Sequence, residues 1–422
     1  GHVTPAPWIN VIANQYFGFN VAAEGTGSTW SINSREYQLT PWSNDPVSDP
    51  AGEALYICDE ESGEIWGPTA LPVRRDDASY TAHHGRGYSR FETSVQGIAT
   101  VLVQVVPLSD SIKISRLTLT NTTDRLRRLS VTGYVEWSLG AQRGAMAPFI
   151  VTTRDPETNA LFAQNSWNAA FKDRVAFVDL GNEQTEWTAD RREFIGRNGS
   201  LRAPAALTAG LVLSGDVGAG FDPCGALKAD IELPPGASRA IIFLLGDAES
   251  DTAARALVKR YRASDIDVVL ADIAQHWDDV LGKIQVKTPD RAMDIMLNGW
   301  MLYQTLACRF WARSGFYQAS GAIGFRDQLQ DGMALAVTRP DLTRAHLLHA
   351  ASRQFREGDL QHWWLPPLGQ GVRTRISDDR VWLAYTAAHY VETTGDHAVL
   401  DEIVPFLDGP ALTAGEHDSF FQ

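Results

Sequence analysis

Nowhere do these 422 residues approach the roughly 18 uncharged apolar residues that a membrane-crossing helix requires. The longest strongly apolar run, Ala240 to Leu245, is only the length of a strand. Cysteine is scarce: Cys58, Cys224 and Cys308 are far apart and odd in number. That excludes a disulfide framework and any CxxC metal or redox motif, and it fits a reducing compartment. Positive charge is in deficit, with 37 Lys and Arg against 51 Asp and Glu and a net charge of −14. An acidic protein repels polyphosphate, so nucleic acid and anionic membranes are not expected partners. The nearest thing to a basic cluster, Arg125, Arg127 and Arg128, falls in an expected hairpin turn. HExxH, GxSxG, Walker and GxGxxG motifs are all missing, which removes zinc protease, α/β-hydrolase, P-loop and dinucleotide-binding readings. His83 and His84 are adjacent and lack metal-ligand spacing, so no metal site is expected. The start, Gly1-His2-Val3-Thr4-Pro5, has no signal-peptide pattern and reads as an internal boundary.

What is present is an ordinary globular composition, 44% apolar and 21% charged, long enough for two or three domains at roughly 150 residues each. Its character changes near residue 250. Before that point the period is that of strands. Leu129, Val131, Gly133, Val135 and Trp137 alternate with polar neighbours, predicting a strand with one buried face. Ile112, Ile114, Leu117 and Leu119 alternate with a one-residue slip that predicts a bulge, and Asn121 to Asp124 supplies turn chemistry before the next strand. From Ser250 the period lengthens. Ile266, Val269, Leu270, Ile273, Trp277, Val280 and Leu281 share one helical face, with Ser264 and Asp267 resembling a capping box. Thr288-Pro289 predicts another helix start, running through Trp300 toward Trp311. Further helices are predicted around 328–337, 342–356, 378–393 and 397–407. The expected fold is a multidomain β-then-α chain: an antiparallel β-sandwich domain over 1–249, a helical linker over 250–287, and a helical domain over 288–422.

Two segments carry candidate chemistry. The first runs from Ser314 to Asp331, with small residues in its middle and Arg326 and Asp327 just before helical spacing resumes. If a helix begins there, Asp327, Gln330 and Asp331 share one side of its first turns. A guanidinium, carboxylates and an amide on one rim suit bidentate bonding to the vicinal hydroxyls of a sugar. The competing reading is that Asp327 merely caps the helix and pairs with Arg326. The second segment, Gln361 to Asp379, places Trp363 and Trp364 in a Pro/Gly-rich connection ahead of Ser377-Asp378-Asp379. Aromatic faces at a cleft suit the C–H faces of pyranose rings; alternatively one Trp packs the loop and the acidic pair starts a helix.

Gly324-Phe325-Arg326-Asp327-Gln328-Leu329-Gln330-Asp331, with Tyr317-Gln318-Ala319-Ser320 ahead of it, resembles the signature of glycoside hydrolase family 94. His362-Trp363-Trp364 through Asp379 resembles that family's next loop, and Asn33 to Pro46 and His84 to Phe91 resemble its β domain. The resemblance covers essentially the whole chain and is strongest to the phosphorylase-like region of cyclic β-1,2-glucan synthases and to β-1,2-oligoglucan phosphorylases. It implies a β-supersandwich, a helical linker and an (α/α)6 barrel. It also implies inverting phosphorolysis of a β-linked glucan to α-glucose 1-phosphate, favouring β-1,2-gluco-oligosaccharide. Arg326 and Asp327 would grip the sugar, with Gln330, Asp331, Trp363, Trp364, Asp378 and Asp379 as further substrate contacts. Inorganic phosphate is the co-substrate and no cofactor is expected. Phosphate is itself the nucleophile, so such a reaction needs one general acid rather than a pair of carboxylates.

The family's acid is the Asp of a Gly-Asp-Trp-Asn-Asp motif that these residues lack. The resemblance therefore places no catalytic residue in this chain and puts the acid beyond Gln422. Only about five helices fit after Thr288, so the barrel is expected to be incomplete and to pair with its remainder or a parent synthase. Gly321 stands near the position of a phosphate-contacting Arg in cellobiose-type members. A homodimer in the cytoplasm, or in the cytosolic part of an inner-membrane synthase, is implied. Two other readings stay open: an inverting (α/α)6 hydrolase, and a non-catalytic carbohydrate-binding or structural region of a glucan synthase.

Overall fold

The computed structural model describes residues 3–208 and 210–421, the last without its side chain; Gly1 and His2, at the expected internal boundary, lie outside the described residues. The chain forms two compact units, Gly1–Ile273 with Gly315–Ala319, and Ala274–Ser314 with Ser320–Gln422. Among the described residues no helix is long and apolar enough to cross a membrane.

The first unit is built from antiparallel sheets of three, five and eight strands. Strand Arg127–Glu136 lies at the centre of the five-stranded sheet, between Pro223–Leu233 and Glu53–Asp59. Its alternation predicts one buried face, yet both are covered. Leu129, Val131 and Val135 enter the main core with Leu117, Leu119 and Phe243 of the eight-stranded sheet. On the other face Tyr134 joins Phe194, Ile195 and Ala206 from short helices laid across the sheet, its ring stacked on Phe194 at 4.9 Å. Each Val, Leu, Ile or Phe so enclosed contributes about 1.5–3 kcal/mol.

The bulge expected near Ile114 is absent. Strand Ile112–Asn121 pairs in unbroken register with Ile98–Val105 and with Ser238–Ala248. The phase slip instead marks a change of face, with Ile112 and Ile114 on one side and Leu117 and Leu119 on the other, all fully buried. Asn121 to Leu126 is a crossover between two sheets rather than a hairpin turn. Arg127, far from advertising a basic patch, is buried against the equally buried carboxylate of Asp59.

Asp265 and Asp290, one residue closer to their helices than expected for the first and two for the second, supply the caps. The Asp265 carboxylate accepts from the Asp267 N–H at 2.9 Å, while the Ser264 hydroxyl donates backward to Arg260. Asp290 accepts from the Ala292 N–H at 2.8 Å. Thr288 binds Asp294 instead, through its N–H at 2.8 Å and its hydroxyl at 2.9 Å. The helical path then runs from Arg291 to Ala312 with two wide π-type stretches, Met296–Trp300 and Thr305–Ala312. Helices Phe325–Leu335, Pro340–Ala351 and Asp379–Thr394 pack around Phe325, Leu329, Leu347 and Tyr390. The helix expected over 397–407 is only a 3-10 turn, His397–Asp401. Pro405 keeps a helix from running on to 407, because it disfavours helical geometry at the residue before it. The connection expected at 361–379 is largely a hairpin, Leu360–Leu365 with Gln370–Thr374.

Candidate active site

The start of helix Phe325–Leu335 is fixed from outside. Ile323 and Gly324 pair antiparallel with Trp364 and Trp363 of the Leu360–Leu365 strand. Gly324 occupies the N-cap position and its N–H is taken by the Gln328 side chain, so capping is accomplished without Asp327. The hairpin then delivers the chain to Asp378 and Asp379 at the start of helix Asp379–Thr394. Two segments some fifty residues apart in sequence thus meet at one rim.

Arg326 joins them. Its Nη1 donates to Asp378 at 2.9 Å and its Nε to Asp327 at 3.3 Å. Asp378 makes no capping bond of its own. Its carboxyl is held below the ordinary range by the hydrogen bond and charge of Arg326, which is itself raised by Asp378 and Asp327. Arg326 is half-buried, while Asp327 and Gln330 are exposed. The cluster is therefore an accessible guanidinium held between two carboxylates, a set of donors and acceptors suited to bonding with hydroxyl groups.

The other expected contacts separate. Asp379 is fully buried, and one of its oxygens meets Nδ1 of His362 at 2.7 Å while the other has no partner. Burial pushes its carboxyl upward despite His362. Asp331 is drawn inward beside Arg309, whose Nε lies 2.7 Å away, and burial raises this carboxyl too. Trp363 is half-buried, its ring 6.3 Å from that of Phe420. Trp364 corrects the expectation of paired sugar platforms: it is completely buried, stacked at 5.3 Å on His349, with no face open to a sugar. Strand geometry explains the difference, since adjacent residues point to opposite sides.

Sequence reading missed His362 as the partner of Asp379 and Arg309 as the partner of Asp331. The only signal was His362 standing at the head of the Trp-Trp pair. Near Gly321, Arg313 donates its Nε to the Gly321 carbonyl at 3.0 Å. Burial pulls the Arg313 guanidinium down to about 10.

An antiparallel sandwich followed by paired helices is the architecture of supersandwich proteins with (α/α)6 helical domains. A bacterial glucoamylase solved with acarbose shares this fold, with a TM-score of 0.55 over 86% of this chain and 54% of that one at 8% identity. The chain belongs to glycosyl hydrolase family 94: the family's supersandwich domain matches residues 1–264 and its catalytic domain residues 276–419. It is 46% identical to the cyclic beta-(1,2)-glucan synthase NdvB of Rhizobium meliloti (strain 1021), over 100% of this chain and 15% of that protein. It is 30% identical to the solabiose phosphorylase of Paenibacillus borealis, over 99% of this chain and 54% of the relative. With the N,N'-diacetylchitobiose phosphorylase of Vibrio furnissii the identity is 28%, over 98% and 56%. The chain thus spans about half the length of these phosphorylases and a smaller part of the synthase.

Proposed function

We propose that this chain supplies the supersandwich and the sugar-gripping part of the helical domain of an inverting β-glucan phosphorylase. In the reaction, a phosphate oxygen attacks the anomeric carbon and the glycosidic C–O bond breaks. A general acid protonates the departing oxygen, and the β-linkage becomes α-glucose 1-phosphate. Arg326, Asp327 and Asp378 bind the sugar's hydroxyls, Gln330 and Trp363 flank them, and Asp379 and Asp331 brace the rim from beneath. The acid is assigned to an Asp of a Gly-Asp-Trp-Asn-Asp motif outside these 422 residues. Phosphate is the second substrate, and no cofactor is used. The observation that carries this reading is Arg326 held between Asp327 and Asp378 at an accessible helix start.

A β-1,2 linkage is favoured by the 46% identity with a glucan synthase named for that linkage. A cytoplasmic homodimer, alone or within a synthase, completes the proposal. The test is to incubate the natural full-length protein with β-1,2-gluco-oligosaccharide, with and without phosphate, and measure sugar 1-phosphate against free glucose. Phosphate-dependent sugar phosphate is expected. Free glucose released without phosphate would assign hydrolysis instead, and no turnover at all would leave a carbohydrate-binding region of a synthase.

A further inference from the structure

The first unit contains a cleft of about 540 Å³ to which no role has been given. Its volume lies within the range of small-ligand sites. At its base, Glu136 and Asp222 hold Arg143 and Arg191 in a closed quartet. Glu136 lies 2.6 Å from Nε of Arg143 and accepts from Nε of Arg191 at 3.1 Å. Asp222 accepts from Nη1 of Arg191 at 3.2 Å and from Nη2 of Arg143. The quartet's hydrogen bonds use Nη2 of Arg143 and Nε and Nη1 of Arg191, while Nε of Arg143 faces Glu136 as an ion pair without a hydrogen bond. Nη1 of Arg143 and Nη2 of Arg191 take no part in the quartet, and both side chains line the cleft. Opposed in chemistry is Asp49, which takes the Thr26 hydroxyl on one oxygen and has its other oxygen to offer. Ser200 adds a hydroxyl, and Pro41, Leu71 and Leu201 add apolar surface.

We propose that this cleft binds a neutral oligosaccharide. The four charges of the quartet cancel, so the base presents fixed donors and acceptors without a net positive field. Outside the quartet the lining carries Asp49 and Arg202, whose charges also cancel, so an anionic ligand meets no excess of positive charge. A neutral polyol meets pinned donors, a carboxylate acceptor and apolar patches for its C–H faces, which is the mixture that sugar recognition requires. A neighbouring cavity of about 20 Å³, room for a single water, shares Thr26, Pro41, Ser43, Asp49 and Pro50. This inference does not depend on the reading of Arg326.

The experiment is calorimetric titration of the full chain with a β-1,2-linked glucopentaose, with α-glucose 1-phosphate as the charged comparison. Arg326→Ala/Asp327→Ala weakens the other candidate site, and the cleft variants then decide whether the binding left belongs to the cleft. In that background the pentaose is expected to bind saturably and more tightly than the sugar phosphate. Ser200→Trp, at an exposed position where the indole fills the cleft, should weaken it at least about tenfold. Asp49→Asn, nearly unchanged in volume, should weaken it about tenfold through the loss of a charged acceptor. If Ser200→Trp fails to fold, Asp49→Asn alone decides. Absence of saturable pentaose binding, affinity unchanged by Asp49→Asn, or tighter binding of the sugar phosphate would each overturn the proposal.

Discussion

Replacing Lys113 with Met tests how the sandwich is held together. Lys113 lies on the eight-stranded sheet and Glu53 on the five-stranded one, and their charged groups meet at 2.7 Å with both side chains nearly excluded from water. The other oxygen of Glu53 accepts the hydroxyls of Thr29 and Thr40, each at 2.6 Å, and the ammonium also sits 4.1 Å from the Phe19 ring centre. Met keeps much of the stem's packing, so the chief effect of Lys113→Met is a carboxylate left buried without its cation. Removing one partner of such a pair costs about 3–5 kcal/mol. The pH dependence has a definite sign. In the wild type Glu53 is depressed: burial raises it, but Lys113 and the two hydroxyls lower it further. The pair's contribution is therefore present above the unfolded carboxyl value, about 4.3, and lost as pH falls through the folded value. In Lys113→Met burial acts unopposed by the cation, the folded carboxyl rises, and the deficit shrinks as acid protonates it. Urea unfolding followed by circular dichroism at pH 7 and pH 5 measures both effects. Lys113→Met/Glu53→Gln should recover most of the loss at pH 7. A deficit below about 1 kcal/mol at pH 7, the cost of an exposed pair, would refute the reasoning.

Trp364→Ala should cost about 3–5 kcal/mol of stability in thermal or urea unfolding, whereas Trp363→Ala, at a half-buried position, should cost markedly less; equal losses would contradict the opposite placement of the two rings. Arg326→Ala should lower kcat/KM for gluco-oligosaccharide in the natural full-length enzyme at least about tenfold with the melting temperature nearly unchanged, and wild-type kinetics would remove Arg326 from the site. Burial pushes the Cys58 thiol up to about 11 and that of Cys308 up to about 12, and raises Cys224 as well. Native protein at pH 7 should therefore alkylate slowly until denaturant is added, and rapid labelling of all three would contradict the packing.

Family membership, the β-then-α order and most elements were legible because they rest on local signals: apolar period, turn residues, and a run of eight residues from Gly324 to Asp331. The pairing of Arg326 with Asp327 is likewise a matter of neighbours. Its second partner, Asp378, was on the sequence's candidate roster without being linked to it, since only the hairpin brings residue 378 to residue 326. The same limit explains the errors. Period-2 alternation in Arg127–Glu136 shows that the strand has two faces, but it cannot show that short helices cover the second one. The slip at Ile114 looks the same whether a strand bulges or simply buries both sides. Trp363 and Trp364 are alike in sequence, and the strand's pleat alone sends one into the core. Sequence thus determined which residue types stand where and what period they follow. Tertiary structure decided which carboxylates stay in reach of water and which are drawn beneath the rim, because burial is set by neighbours distant along the chain.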